Sequence, residues 1–152
     1  MSDNDTTLTI KSIGRHDILA HQKKFVAIAS DVPGEYWSLE EFLLDLPAKW
    51  DLSFALWQDA QPIGYAILSQ KSAPQVHLHH FMIARENRGQ GFGARMVSEM
   101  TDRAQSIGAN LLTLKVDKLN TAAHLFYSRN GFSYHGEEGS FWVMAKQLHN
   151  AS

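Results

Sequence analysis

The sequence predicts a mixed α/β (α+β) domain. Its core is a central mixed, mostly antiparallel sheet of about seven strands flanked by about four helices, in the order β-α-α-β-β-β-α-β-α-β-β. Three observations predict it. Apolar runs at Phe54–Trp57 and Ile63–Leu68 flank a short polar turn, and a third apolar run follows, so the middle of the sheet is built of antiparallel hairpins. A glycine-rich turn then opens a helix that leads to another strand, a unit whose two strands should be parallel with a right-handed crossover. The 152 residues contain no domain-sized linker, internal repeat or low-complexity tract, so a single domain covers residues 1–152.

Taken in order, residues 1–7 are expected to be frayed, and Leu8–Ile13 alternates like a strand. Asp17–Ala29 reads as one helix on its apolar residues Ile18, Leu19, Phe25, Val26 and Ile28. "DVPGEYW" breaks the chain, and Ser38 with Glu41 three residues on forms a capping box for a second helix, "SLEEFLLDL". The hairpin follows, then "QVHLHHFMIA" as the third of these strands. Met96, Val97, Met100, Ala104 and Ile107 recur at helical spacing up to Gly108. "NLLTLKV" is a strand, Asn120 caps the helix "TAAHLFYSRN" up to Gly131, and "FSYHGE" with "SFWVMAKQL" forms a closing antiparallel pair.

Composition narrows the function. Hydrophobic residues make up 44% and charged residues 20%, enough apolar material for a packed core. A net charge of -2 and a pI of about 6.4 argue against a nucleic-acid partner held by a basic surface. The absence of cysteine excludes disulfides, thiolate zinc sites and cysteine nucleophiles. "MSDNDTTLTI" lacks the features of a signal peptide, and no apolar run approaches a membrane span, so the expectation is a cytoplasmic protein with no membrane partner.

The most informative stretch is "RENRGQGFGARM", Arg85–Met96. A helix start presents unpaired N–H groups and the positive end of the macrodipole, so it holds an anion without any side chain. Gly89, Gly91 and Gly93 let the backbone approach a pyrophosphate and tolerate positive φ, and Arg88 adds a charge-assisted bond. A plain flexible loop is one reading. A dinucleotide fold is another: "GQGFGA" matches G-x-G-x-x-A, and Asp117 closes the next strand. Against it, Arg85–Arg88 separate the strand from the first glycine, and most of the sheet precedes the motif as hairpins.

The third reading is a coenzyme A site. Arg88, Gly91, Gly93 and Ala94 resemble the Arg/Gln-x-x-Gly-x-Gly/Ala signature of the GNAT family of N-acetyltransferases. A second stretch, "NTAAHLFYSRNGF", is similar to that family's Asn-x-x-Ala-x-x-Phe-Tyr-x-Lys/Arg-x-Gly-Phe, matched by Asn120, Ala123, Phe126, Tyr127, Arg129, Gly131 and Phe132. The element order is also that family's, over nearly the whole chain. The resemblance implies the GNAT fold and acetyl-CoA as cosubstrate, bound where two parallel strands splay apart, near Ile83 and Lys115. It implies that the backbone of Phe81, Met82 and Ile83 pairs with the pantetheine arm. Arg88, Gly89, Gln90, Gly91, Phe92, Gly93 and Ala94 hold the pyrophosphate. Asn120, Ala123, Phe126 and Tyr127 line the pantetheine channel, and Tyr127 protonates the departing sulfur.

The sequence departs from the family where many members place a carboxylate base. Between Asp59 and Glu86 there is no Asp or Glu, and "HLHH" stands in that strand. Alternation puts His77 and His79 on one face and His80 on the other, unless a bulge intervenes. The His-x-His pattern resembles that of a family member in which two such histidines move the amine's proton through water, so His77 and His79 are the expected base. His-x-His is also a common metal pair, but no third ligand can be named, and no metal is expected. Tyr36, Trp37, Glu40, Glu41, Trp50 and Trp57 are available on the acceptor side. The expected function is direct transfer of an acetyl group to a primary amine of a small molecule or of a peptide or protein, with a non-catalytic acyl-CoA-binding sensor or regulatory module as the alternative. Homodimers are frequent in the family, and one is possible here.

Overall fold

A computed structural model describes residues 8–149, so the expected fraying of residues 1–7 lies outside the described residues. The chain runs β1 (Leu8–Ser12), α1 (Arg15–Ala20), α2 (Gln22–Ala29), α3 (Leu39–Leu43), α4 (Lys49–Leu52), β2 (Phe54–Gln58), β3 (Gln61–Ser72) and β4 (Gln75–Ile83). A short 3-10 turn at Arg85–Asn87 leads to α5 (Phe92–Ser106), β5 (Leu111–Asp117), α6 (Thr121–Arg129), β6 (Ser133–Glu138) and β7 (Phe141–Gln147). The seven strands form one sheet in the order β1-β2-β3-β4-β5-β7-β6. Only the β4–β5 pair is parallel, as expected for the strand–helix–strand unit around the glycines.

Each face of the sheet carries its own core. Ala66, Leu68, Val76 and Leu78 pack with Met96, Val97, Met100 and Ala104 of α5. Tyr65, Ile67 and Met82 pack with Ile18, Phe25, Ile28 and Phe42 of the first three helices. The period-2 alternation along β3 separates the two sets, which is why its central residues are buried on both sides.

Two expectations need correction. The helix expected over Asp17–Ala29 is two helices, because His21 leaves helical geometry (φ -122°, ψ 29°). Its ring meets Trp57 edge-on at 5.0 Å, so a tertiary contact overrides a continuous apolar pattern. The one-turn helix α4 was not expected. It forms around Lys49, whose side chain is fully buried and whose ammonium donates to the carbonyls of Glu41, Phe42 and Leu44. That bonding satisfies the C-terminal end of α3. At its other end α3 has the expected capping box: the Glu41 N–H donates to Ser38 Oγ at 3.2 Å, and the Ser38 N–H to Glu41 Oε1 at 2.9 Å.

Candidate active site

The parallel ladder between β4 and β5 is short. It runs from Gln75–Leu111 to Leu78–Leu114 and stops, while β4 continues to Ile83 and β5 to Asp117. Past that point lies a cavity of about 430 Å³. Phe81, Met82 and Ile83 line it from β4, Lys115 and Val116 from β5, and Asn120, Ala122, Ala123, Phe126 and Tyr127 from α6 and its cap. Arg88 and Gly93 line it from the start of α5 and the loop before it, and Val32 and Glu35 from the segment after α2.

The start of α5 explains the three glycines. Gly89 and Gly91 sit at φ +76° and +84°, in the left-handed region, and Gly91 is the N-cap. Gly93 is needed for a different reason: a Cβ there would stand 2.8 Å from the Phe126 ring. The turn thus brings the uncapped N–H groups of a 15-residue helix to the cavity beside an aromatic wall. Arg88 anchors the turn, donating from Nε to the Ile83 carbonyl at 2.9 Å and lying 3.9 Å from Asp31. Asn120 caps α6 by accepting from the Ala123 N–H at 3.1 Å, and it lines the cavity as well.

Of the residues the sequence singles out, Phe81, Met82, Ile83, Arg88, Gly93, Asn120, Ala123, Phe126 and Tyr127 share this cavity. Gly89, Gln90 and Gly91 belong to the loop before α5, Phe92 and Ala94 to its first turn, and none of the five is part of the lining. Tyr127 packs against Phe81, Phe126 and Phe132. Burial, and then the Glu35 carboxylate, push its hydroxyl well above the ordinary phenol range, so it stays protonated at neutral pH. A second cavity of about 450 Å³ lies beside α6 among Lys118, Thr121, His124, Tyr134, Glu137 and Trp142, and shares no lining residue with the first.

His77 and His79 are placed differently. Neither lines the cavity. Their rings meet at 4.9 Å, His77 Nδ1 bonds Thr113 Oγ1 at 2.8 Å, and His79 Nε2 bonds Ser69 Oγ at 2.6 Å. Burial pushes each imidazole down to about 4, helped by neighbouring cations. The expected split between the two faces of β4 is corrected. His80 pairs with Ile67 and Leu78 with Leu68, so His79 is the extra residue of a β-bulge. The bulge turns His80 to the face that carries Tyr65 and Ser69, where His77 and His79 also lie.

Two residues were missed. His80 stacks on Trp37 (4.7 Å), lies nearly parallel to Tyr65 (5.6 Å), and bonds the Tyr65 hydroxyl at 2.7 Å and the Glu35 carbonyl at 2.6 Å. Glu35 is the one carboxylate among the described lining residues, and burial, with Asp117 nearby, raises it above the ordinary carboxylate value. A bulge in β4 was the signal for His80. For Glu35 the signal was an acid held between a proline–glycine turn and two aromatic residues. Among the acceptor-side residues, Glu41 serves as a cap and Trp50 bonds Asp45, whereas Tyr36 is 58% exposed. Among the described residues no cluster of three metal-ligating side chains occurs, and no helix is long and apolar enough to cross a membrane.

Comparison with known proteins agrees with this geometry. Over 93% of its length the chain superposes on 98% of Ard1 from Thermoplasma volcanium, with a TM-score of 0.80 and 19% identity. It covers 99% of the PaiA N-acetyltransferase of Thermoplasma acidophilum, solved in complex with coenzyme A, using 93% of its own length, with a TM-score of 0.72 and 21% identity. In sequence it is 33% identical over 73 residues, 48% of this chain and 50% of the other, to the 5-NmdU N-acetyltransferase of Pseudomonas phage PaMx11. The chain spans half or less of the length of the curated relatives it matches. The model of the acetyltransferase (GNAT) family matches residues 21–132, well over half of the 152, and the chain belongs to that family.

Proposed function

We propose that the protein is an acetyl-CoA-dependent N-acetyltransferase that acts on a primary amine by direct attack, with no covalent enzyme intermediate. One observation carries the reading: the β4–β5 ladder ends beside the N-terminus of α5, and the cavity between them also holds a protonated tyrosine. The residues fit the cosubstrate. Free N–H groups at the start of α5 suit a pyrophosphate, and the unpaired edge of β4 at Phe81–Ile83 suits an amide-bearing arm. When bound, acetyl-CoA supplies an activated acetyl thioester. Arg88 and the α5 N-terminus bind and orient it, and Gly93 and Ala123 leave room for it. A backbone N–H near Met82–Ile83 polarises the carbonyl, and Tyr127 holds the proton that the sulfur needs.

The test is turnover. CoA release from acetyl-CoA is measured with a panel of primary amines, for the wild type and for Tyr127→Phe. Turnover of at least one amine is expected, and Tyr127→Phe should lower kcat by roughly 100-fold or more with CoA affinity unchanged. Tight CoA binding with no turnover of any amine would instead identify an acyl-CoA-binding sensor. Thermal stabilisation by NAD and not by CoA would overturn the cosubstrate itself.

A further inference from the structure

We propose that Glu35, rather than the histidine pair, takes the proton from a cationic amine acceptor, and that His80 is the positioning residue that holds Glu35 over the cavity. The proposal rests on the acetyltransferase reading above.

Position comes first. Glu35 lines the same cavity as Tyr127, whereas His77 and His79 line none of it and are bonded to Thr113 and Ser69. The carboxylate is available. Its nearest basic neighbour, His80 Nε2, is 3.8 Å from Oε1, too far for a hydrogen bond. Its side chain is 34% exposed, so an incoming ammonium can reach it.

His80 explains how a loop residue is held still. The Glu35 carbonyl can only accept, so His80 Nε2 carries the hydrogen of the 2.6 Å bond between them. With the ring neutral, Nδ1 accepts from the Tyr65 hydroxyl at 2.7 Å. Burial lowers the His80 pKa and raises that of Tyr65, so both stay in these neutral forms. Trp37 stacks on the ring at an interplanar angle of 14°, and the Tyr65 ring lies nearly parallel to it, at 13°. The chain Tyr65–His80–Glu35 therefore ties the loop to β3 and β4 while leaving the carboxylate free.

The surrounding charges suit a cation. Tyr127 from α6, Asp117 and Lys115 from β5, Arg88 from the glycine turn, His80 from β4 and Tyr65 from β3 are the titratable groups around Glu35. Lys115 is paired with Glu138 at 2.7 Å, and Arg88 lies beside Asp31. Protons balance as follows. Glu35 takes one proton from the ammonium, and the freed lone pair forms the C–N bond. Tyr127 gives its hydroxyl proton to the sulfur as the C–S bond breaks. The nitrogen's second proton returns to Tyr127, and the proton on Glu35 leaves to solvent.

The experiment measures kcat against pH with an amine that the wild type acetylates. The variants are Glu35→Gln, Glu35→Asp, His80→Phe and the double variant His77→Gln, His79→Gln, with CoA binding measured alongside. Glu35→Gln should lower kcat at neutral pH by about 100-fold or more, leave CoA affinity unchanged and abolish the acid limb of the profile. Glu35→Asp, which keeps a carboxylate one methylene short, should restore the limb at reduced kcat. His80→Phe keeps a ring of similar size and loses the bond to the Glu35 carbonyl, so kcat should fall while the CoA affinity and the position of the acid limb stay as in the wild type. A Glu35→Gln enzyme with wild-type kcat and its acid limb intact overturns the proposal while the acetyltransferase reading stands. So does loss of the limb in the histidine double variant alone. A wild type that turns over no amine overturns that reading, and this assignment with it.

Discussion

At Gly93 the missing side chain is what shapes the cavity. A Cβ there would meet Phe126 Cε1 at 2.8 Å and Cζ at 2.9 Å, closer than carbon atoms approach, so Gly93→Ala must displace the ring. Phe126 and Gly93 line the cavity together, and Gly93→Ala is expected to weaken CoA binding by about tenfold in a calorimetric titration, ~1.4 kcal/mol. Gly108→Ala is the control. That glycine ends α5 at φ +84° with nothing within 4 Å, so alanine there should cost ~1 kcal/mol of stability and leave CoA affinity alone. Lys49 shows the reverse case, a side chain too well used to lose. Burial pushes its ammonium down to about 8, yet it is bonded to backbone carbonyls and stacks over Trp50 at 4.6 Å. Lys49→Met fills the volume and orphans those carbonyls. A loss of roughly 2–4 kcal/mol in a urea titration is expected; a neutral result would mean that water reaches the end of α3.

Elements with a local chemical signal were legible, and those decided by distant contacts were not. Ser38 and Glu41 mark the start of α3, Asn120 that of α6, and Gly108 the end of α5, because capping is written within a few residues. The split at His21 depends on Trp57, and α4 depends on carbonyls of the preceding helix, so neither shows in local periodicity. The β4 bulge is set by pairing with β3, and without it alternation assigns His80 to the wrong face. The candidate site divides in the same way. Its glycine turn and α6 signature were readable as motifs, whereas Glu35 lines the cavity from a loop whose carbonyl is bonded by His80, 45 positions away. Asn120 joins the two classes, since it caps α6 and lines the cavity. Asn120→Ser keeps a capping oxygen and should hold the melting temperature while weakening CoA binding. Asn120→Ala should weaken binding and also lose ~1 kcal/mol of stability.

For the whole molecule, the buried imidazoles of β4 couple stability to pH. His77 and His79 hold pKa values of about 4 in the folded protein against 6.5 for a free imidazole, first because they are buried and then because cations face them. Between those values the unfolded chain binds protons that the native state refuses. Stability therefore rises with pH across that window and is lost as pH falls from about 6.5 toward 4, by up to ~1.4 kcal/mol per pH unit for each imidazole. Their contact at 4.9 Å adds to the effect, because one charged ring opposes charging of the other. Glu35 acts in the opposite sense. Its raised pKa lets the folded state hold a proton that the unfolded chain has lost, which favours the fold as pH falls through that window and partly opposes the imidazoles. The urea midpoint should thus fall steeply from pH 7 to pH 4.5, and the His77→Gln, His79→Gln variant should show a flatter profile. An unchanged slope in that variant would move the acid sensitivity elsewhere in the sheet, with His80, the third neutral imidazole of the strand, as the next group to replace.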